Sequence, residues 1–187
     1  MAKVGDNIIT TGLSGKLGNL IVFRSRGGKT YVSKAPKRQD SEWTEAQRAH
    51  RMKFQEAVLY AKSAMANEEM KEAYQASADE NKSAYNVAVA DFFNAPYINE
   101  IDVSNYTGQP DSYIQIRAVD DFEVKEVTVN IQNADGTVVE SGAAVLQKGS
   151  IWWRYTATAT NESLEGDKII IRVSDTPGNL TEQEREL

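Results

Sequence analysis

Apolar positions along this chain follow three successive rhythms. Up to about residue 40, short β-rich runs alternate with glycine: Leu20-Ile21-Val22-Phe23-Arg24, then Ser25-Arg26-Gly27-Gly28, then Lys29-Thr30-Tyr31-Val32-Ser33-Lys34. Two such runs around a Gly-Gly pair predict a β-hairpin over 20–34. Between 41 and 96, Phe54, Val58, Ala61 and Met65 recur at spacings of four, three and four, with Ala57 and Ala64 beside them. That spacing is the apolar stripe of a helix. After Pro96 the period drops to two, as in Ile114, Ile116 and Ala118 against Tyr113, Gln115 and Arg117, the alternation of half-buried strands.

Local signals place the element ends. Thr44-Glu45-Ala46-Gln47 has the form of a capping box, and Asn67-Glu68-Glu69 and Ser77-Ala78-Asp79-Glu80 read as further helix starts. Three helices are expected, the last ending at Phe93 before Pro96. Strands are expected near 98–103, 113–118 and 127–131, then after the Asn133-Ala134-Asp135-Gly136 turn, over 151–159 and over 168–174. Six or seven short strands in about ninety residues suit a β-sandwich. The fold class is therefore α+β and multidomain: an N-terminal β-hairpin arm (1–40), an α-helical hairpin or bundle (41–96) and a C-terminal β-sandwich (97–187).

Charge sharpens that division. Residues 1–40 carry +6, 41–96 carry −3 and 97–187 carry −9, giving the net −6 of the 187-residue chain. A basic arm and an acidic strand block on one polypeptide suggest association between copies. The chain has no cysteine, which removes disulfides and thiolate chemistry together. No apolar window reaches the length of a membrane span, and Met1 to Asp6 lead into no signal-peptide core, so a cytoplasmic or assembly-associated location is expected.

Three groups of residues are candidates for function. In the arm, Arg24, Arg26, Lys29, Lys34, Lys37 and Arg38 are placed to neutralise phosphates, with Phe23 or Tyr31 to stack on bases. The same residues equally suit a solvated hairpin guarded by lysines, or an arm docking on an acidic neighbour. In Ile151-Trp152-Trp153-Arg154-Tyr155, alternation puts Trp153 and Tyr155 toward the core and Trp152 and Arg154 outward, where Tyr113 and Arg117 join them in an aromatic and arginine surface. Asp120, Asp121 and Asp175 form the third group, as ligands for Ca²⁺ or, more simply, as turn caps. His50 stands alone between Arg48 and Arg51 without a nucleophile or carboxylate beside it, which argues against a general base. Gly15-Lys16 is followed by Leu17, so the glycine-rich stretch is not a phosphate loop.

The segment from Ala118 through Asp120-Asp121 to Val129 resembles the bacterial immunoglobulin-like pattern, in which an aspartate-containing turn separates two core strands. Ser174-Asp175-Thr176-Pro177-Gly178-Asn179 is similar to the closing turn of the same domains. The resemblance implies an immunoglobulin-like fold for 97–187 and assigns no activity. The chain also resembles a family of Bacteroidota proteins whose beginnings share Gly15-x-x-Gly18-Asn19, Gly28-Lys29 and Ala35-Pro36. That likeness spans the arm and first helix, and implies a modular protein of phage or contractile-apparatus type.

The expected function is a non-enzymatic structural protein that self-associates through the arm and helices and displays an immunoglobulin-like domain. It needs no cofactor, and its partners are further copies or other proteins. A glycan- or ligand-binding module built on Trp152 and Arg154 is the first alternative. Nucleic-acid association through the basic arm is the second, opposed by the acidic remainder of the chain.

Overall fold

A computed structural model of the protein describes residues 2–4, 10, 12–37 and 42–187. The chain is α+β, with three helices and three antiparallel four-stranded sheets among the described residues. It divides into two compact units, residues 1–49 and 50–187.

The first unit holds one sheet, built from β1 (Ala2–Val4), β2 (Gly15–Leu17), β3 (Ile21–Arg26) and β4 (Lys29–Lys34) in the order β1-β4-β3-β2. The expected hairpin lies at its centre. Arg26 pairs with Lys29 across a two-residue turn in which Gly27 and Gly28 have φ of 55° and 70°. Both values lie in the left-handed region, which glycine enters without a Cβ penalty and which matches the twist of the flanking strands. The outer strands β1 and β2 are only three residues long, too short for periodicity to signal.

The register sorts this sheet into two unlike faces. Directly paired residues in an antiparallel ladder share a face. Phe23 pairs with Val32, and Leu17 with Ile21, which in turn pairs with Lys34, so one face is largely apolar. Arg24 pairs with Tyr31, Arg26 with Lys29 and Lys16 with Val22, so the opposite face is basic. Among the sheet's residues with described side chains, only Thr30 is buried.

The helices are α1 (Glu45–Ala66), α2 (Glu68–Ala76) and α3 (Ala84–Phe93). The capping box at α1 closes both ways: Thr44 N donates to Gln47 Oε1 at 2.9 Å and Gln47 N donates to Thr44 Oγ1 at 3.2 Å. Asn67 caps α2, its Oδ1 accepting from Met70 N at 3.1 Å. The third helix starts later than the sequence suggests. Ser77 ends α2, and Asp79 Oδ1 takes the Asn81 amide at 2.8 Å, a local turn that competes with a helix start. Ser83 caps α3 instead, accepting from Asn86 N. Ala61, Ala64, Ala84 and Ala88 let the helices approach around the buried ring of Tyr74.

Beyond the helices, β5 (Tyr97–Asp102), β6 (Tyr113–Val119), β10 (Trp153–Thr156) and β9 (Val145–Leu146) form one sheet in that order. The other runs β12 (Leu180–Glu186), β11 (Lys168–Asp175), β7 (Val124–Gln132) and β8 (Val138–Ala143). The two share one core. Ile101, Ile114, Ile116 and Tyr155 come from the first sheet, and Val127, Val129, Ile131, Ile169, Ile171 and Val173 from the second, at the period of two that pleating requires. Ile151 departs from expectation: it is exposed, because the chain from Gln147 to Trp152 closes a turn and the strand starts only at Trp153. β12 is absent from the sequence reading because Thr181 to Glu186 is polar throughout. It survives as an edge strand whose Glu182 and Glu184 pair with Arg172 and Lys168 of β11. No helix among the described residues is long and apolar enough to cross a membrane.

Loops at one end of these sheets are tied by buried polar groups. Asn161 N donates to Gly108 O at 2.7 Å, and Asn161 Nδ2 donates to Asp167 Oδ2 at 2.7 Å. Gly108 has φ +73°, and a Cβ there would stand 2.6 Å from the Asn161 carbonyl oxygen. Gly108→Ala should therefore cost about 2–4 kcal/mol in urea unfolding, from backbone strain and overpacking together. Gly136→Ala, at φ +86° with nothing within 4 Å, should cost only about 1–2 kcal/mol. Equal losses at the two positions would show that φ alone decides.

Candidate functional site

α3 reads Ala-Tyr-Asn-Val-Ala-Val-Ala-Asp-Phe-Phe, and Asp91 is its one charged residue. That carboxylate is 1% exposed. It is held from the helix side by tyrosine: Tyr74 OH donates to Asp91 Oδ2 at 2.5 Å, and Tyr60 OH lies 2.6 Å from Tyr74 OH. With the Tyr74 proton committed to Asp91, Tyr60 must be the donor in the second bond. The Tyr74 ring stacks on Phe122, which follows β6, at a centroid distance of 4.2 Å.

From the sheet side, two turns bring further carboxylates. Asp120 Oδ2 accepts from Phe122 N and Glu123 N, capping the turn between β6 and β7. Asp175 Oδ1 accepts from Gly178 N at 2.8 Å and Asn179 N at 2.6 Å, capping the turn between β11 and β12. Turn capping thus occupies one oxygen of each. One oxygen apiece from Asp91, Asp120 and Asp175 lies within 4.8 Å of the others. Asn179 Nδ2 completes the junction, shared between Asp175 Oδ2 at 2.7 Å and the carbonyl oxygens of Asp91, Phe92 and Asn94 at the end of α3.

Burial pushes the Asp91 carboxyl up to about 7; the Tyr74 hydrogen bond opposes this, while the negative charges of Asp120, Asp175 and Asp121 reinforce it. Burial also raises the Tyr74 phenol far above its usual range, and the bond to Asp91 adds to that. Beside the junction a cavity of about 250 Å³ is lined by Ser77, Lys82, Val87, Ala90, Asp91, Asp121 and Phe122.

The structure brings together part of each expected group. Asp120 and Asp175 meet, but Asp121 lies outside the three-carboxylate cluster and accepts from Asn94 Nδ2. The third member, Asp91, escaped the sequence reading because it sits 29 residues before Asp120 on a different kind of element; a lone acid in an apolar helix was its only mark. Tyr113, Arg117 and Arg154 share the outer face of the β5-β6-β10-β9 sheet, and the Arg154 guanidinium stands 4.3 Å from the Tyr113 ring centroid. That stacking engages Arg154 within the sheet. Trp152 is half-buried just before β10. In the first unit, Arg24, Arg26, Lys29 and Tyr31 share the basic face, while Phe23 and Lys34 lie on the other. Lys37 follows the sheet, and Arg38 lies outside the described residues. His50 packs its ring against Phe93, with centroids 5.6 Å apart.

The raised Asp91 value predicts a pH dependence with a definite sign. Between the ordinary aspartate value of 3.8 and about 7, the folded protein keeps a proton that the unfolded chain has released, so stability falls as pH rises through that window. In chelator-containing buffer, the thermal midpoint should be several degrees lower at pH 8 than at pH 5. Asp91→Asn should flatten the decline. An unchanged slope in that variant would assign the titration elsewhere.

No family model matches the chain, and no curated protein matches it. Among solved structures it is similar to the crystal structure of an engineered protein, at 15% identity and a TM-score of 0.33. The similarity covers 59% of this chain and 30% of that one, so the chain spans under a third of that protein's length. A likeness of that degree carries no inference about fold or function.

Proposed function

We propose that this is a non-enzymatic structural protein that self-associates through its N-terminal sheet and displays an immunoglobulin-like sandwich. The observation that carries the reading is the two-faced sheet of the first unit. Leu17 on the apolar face is 64% exposed, Leu20 in the turn between β2 and β3 is 77% exposed, and no apolar side chain described in that sheet is buried. Four strands with one apolar face gain little unless that face is covered. The occupant that suits it is a second copy. The apolar face supplies the burial, and Lys16, Arg24, Arg26 and Lys29 on the opposite face steer the sheet toward the acidic 97–187 segment of a neighbour.

The immunoglobulin-like reading rests on strand order. Taking β5, β6, β7, β8, β9, β10, β11 and β12 as A, B, C, C′, D, E, F and G gives sheets A-B-E-D and G-F-C-C′. That is the partition of an immunoglobulin-type sandwich, here with an apolar core in place of a disulfide. Such a domain is a display scaffold whose loops vary freely.

Sedimentation at micromolar concentrations should show species larger than a monomer, weakened by high salt because screening removes the electrostatic part. Leu17→Ser with Leu20→Ser should raise the dissociation constant at least about tenfold, given the burial of two leucines at a contact. Both side chains are exposed, so the fold should be kept. A monomer at all concentrations, unchanged by this pair of substitutions, overturns the proposal.

A further inference from the structure

We propose that Asp91, Asp120 and Asp175 hold a divalent cation of calcium size at the junction between α3 and the paired sheets. Three carboxylates in one place are not by themselves a site. What points to a ligand is that two of them keep a buried oxygen met by no donor of the protein: Asp91 Oδ1 and Asp120 Oδ1. Asp91 is 1% exposed, and its other oxygen is already taken by Tyr74. Buried polar atoms are almost always satisfied, and an orphaned carboxylate oxygen costs more than an orphaned neutral one. Neither oxygen has a hydrogen-bond donor in reach, yet both belong to groups whose neighbours are negative.

Distance fits the ion. Oxygens on opposite sides of Ca²⁺, each about 2.3–2.6 Å from it, stand about 5 Å apart, so oxygens within that span can share one ion, and a set of protein carboxylates suits Ca²⁺ better than Mg²⁺, which keeps several of its waters. The three carboxylates each offer an oxygen within 4.8 Å of the others. Each is also held by its own hydrogen bonds: Tyr74 orients Asp91, the Phe122 and Glu123 amides orient Asp120, and Asn179 and Gly178 orient Asp175. Supporting bonds of this kind fix a ligand before the metal arrives. The cavity that Asp91 shares with Asp121 gives a route from solvent, with the Lys82 ammonium turned toward Asp79 at 4.0 Å. A cation here would join helix and sheets by charge, cancelling the repulsion among carboxylates that come from three separate elements.

The test uses the full chain, stripped with chelator and returned to chelator-free buffer. Titration with CaCl₂ in a calorimeter should give saturable binding at one site, with a rise of several degrees in the thermal midpoint. Asp91→Asn and Asp120→Asn should each weaken binding at least about tenfold, as loss of a ligand exceeds loss of a supporting contact. Asp121→Asn, which removes a nearby charge but no ligand, should weaken binding far less than either, and far-UV circular dichroism verifies that each variant is folded. No heat and no thermal shift in the wild-type protein up to about 10 mM CaCl₂, above the range of the weakest protein calcium sites, overturns the proposal and leaves the oxygens to water or a shared proton. An equal response to MgCl₂, or binding that survives in both Asp91→Asn and Asp120→Asn, overturns it as well.

Discussion

Burying Asp91 is the constraint around which the larger unit is arranged. A carboxylate taken out of water needs donors or an opposing charge, and α3 carries no other charged residue to supply one. Donors come from α1 and α2 through the Tyr60 and Tyr74 hydroxyls, and the neighbouring carbonyls of α3 are met by Asn179 from the β11–β12 turn. One polar group thus recruits three helices and the edge of a sheet. Tyr74 has a second role, because its ring stacks on Phe122 while its hydroxyl is spent on Asp91. The helices accordingly share a compact unit with the two sheets.

The aspartates of the sheet turns show how one residue serves fold and chemistry together. Asp120 and Asp175 each use one oxygen to cap a turn, which any small polar residue could do. The negative charge left over is what an ordinary turn does not need. Placing that surplus beside Asp91 adds to the effect of burial in raising its carboxyl, and it gathers the negative charge on which the proposed cation site rests. The first unit follows a different logic, in which register separates apolar from basic side chains and Thr30 is the one buried residue described in the sheet.

Much of this architecture was legible in the sequence where the signal was local. The Gly27-Gly28 turn, the Thr44 capping box, the Asn67 cap and the period-two runs at Ile114 and Val127 each depend on neighbours a few residues away. What was not legible depends on distant partners. β12 is polar because an edge strand can carry its pairing charges outward, so Glu182 and Glu184 make sense only beside Arg172 and Lys168. The start of α3 turned on whether Asp79 would cap a helix or close a turn. Asp120 and Asp175 were visible as aspartates near turns, yet nothing in spacing could say that Asp91, rather than the adjacent Asp121, would join them. That choice is made by the packing of α3 against the turns, with Asn94 drawing Asp121 aside.

The central claim is that the Asp91 junction makes helices and sheets one cooperative body. Native-state hydrogen exchange on the full chain tests it most directly, by comparing amides of α3 around Val89 and Ala90 with those of β11 around Ile169 and Ile171. A common opening free energy for both sets, lowered together in Tyr74→Phe, is the result this account predicts. Amides of α3 that open far more readily than those of β11, with the β11 set unmoved in Tyr74→Phe, would contradict it.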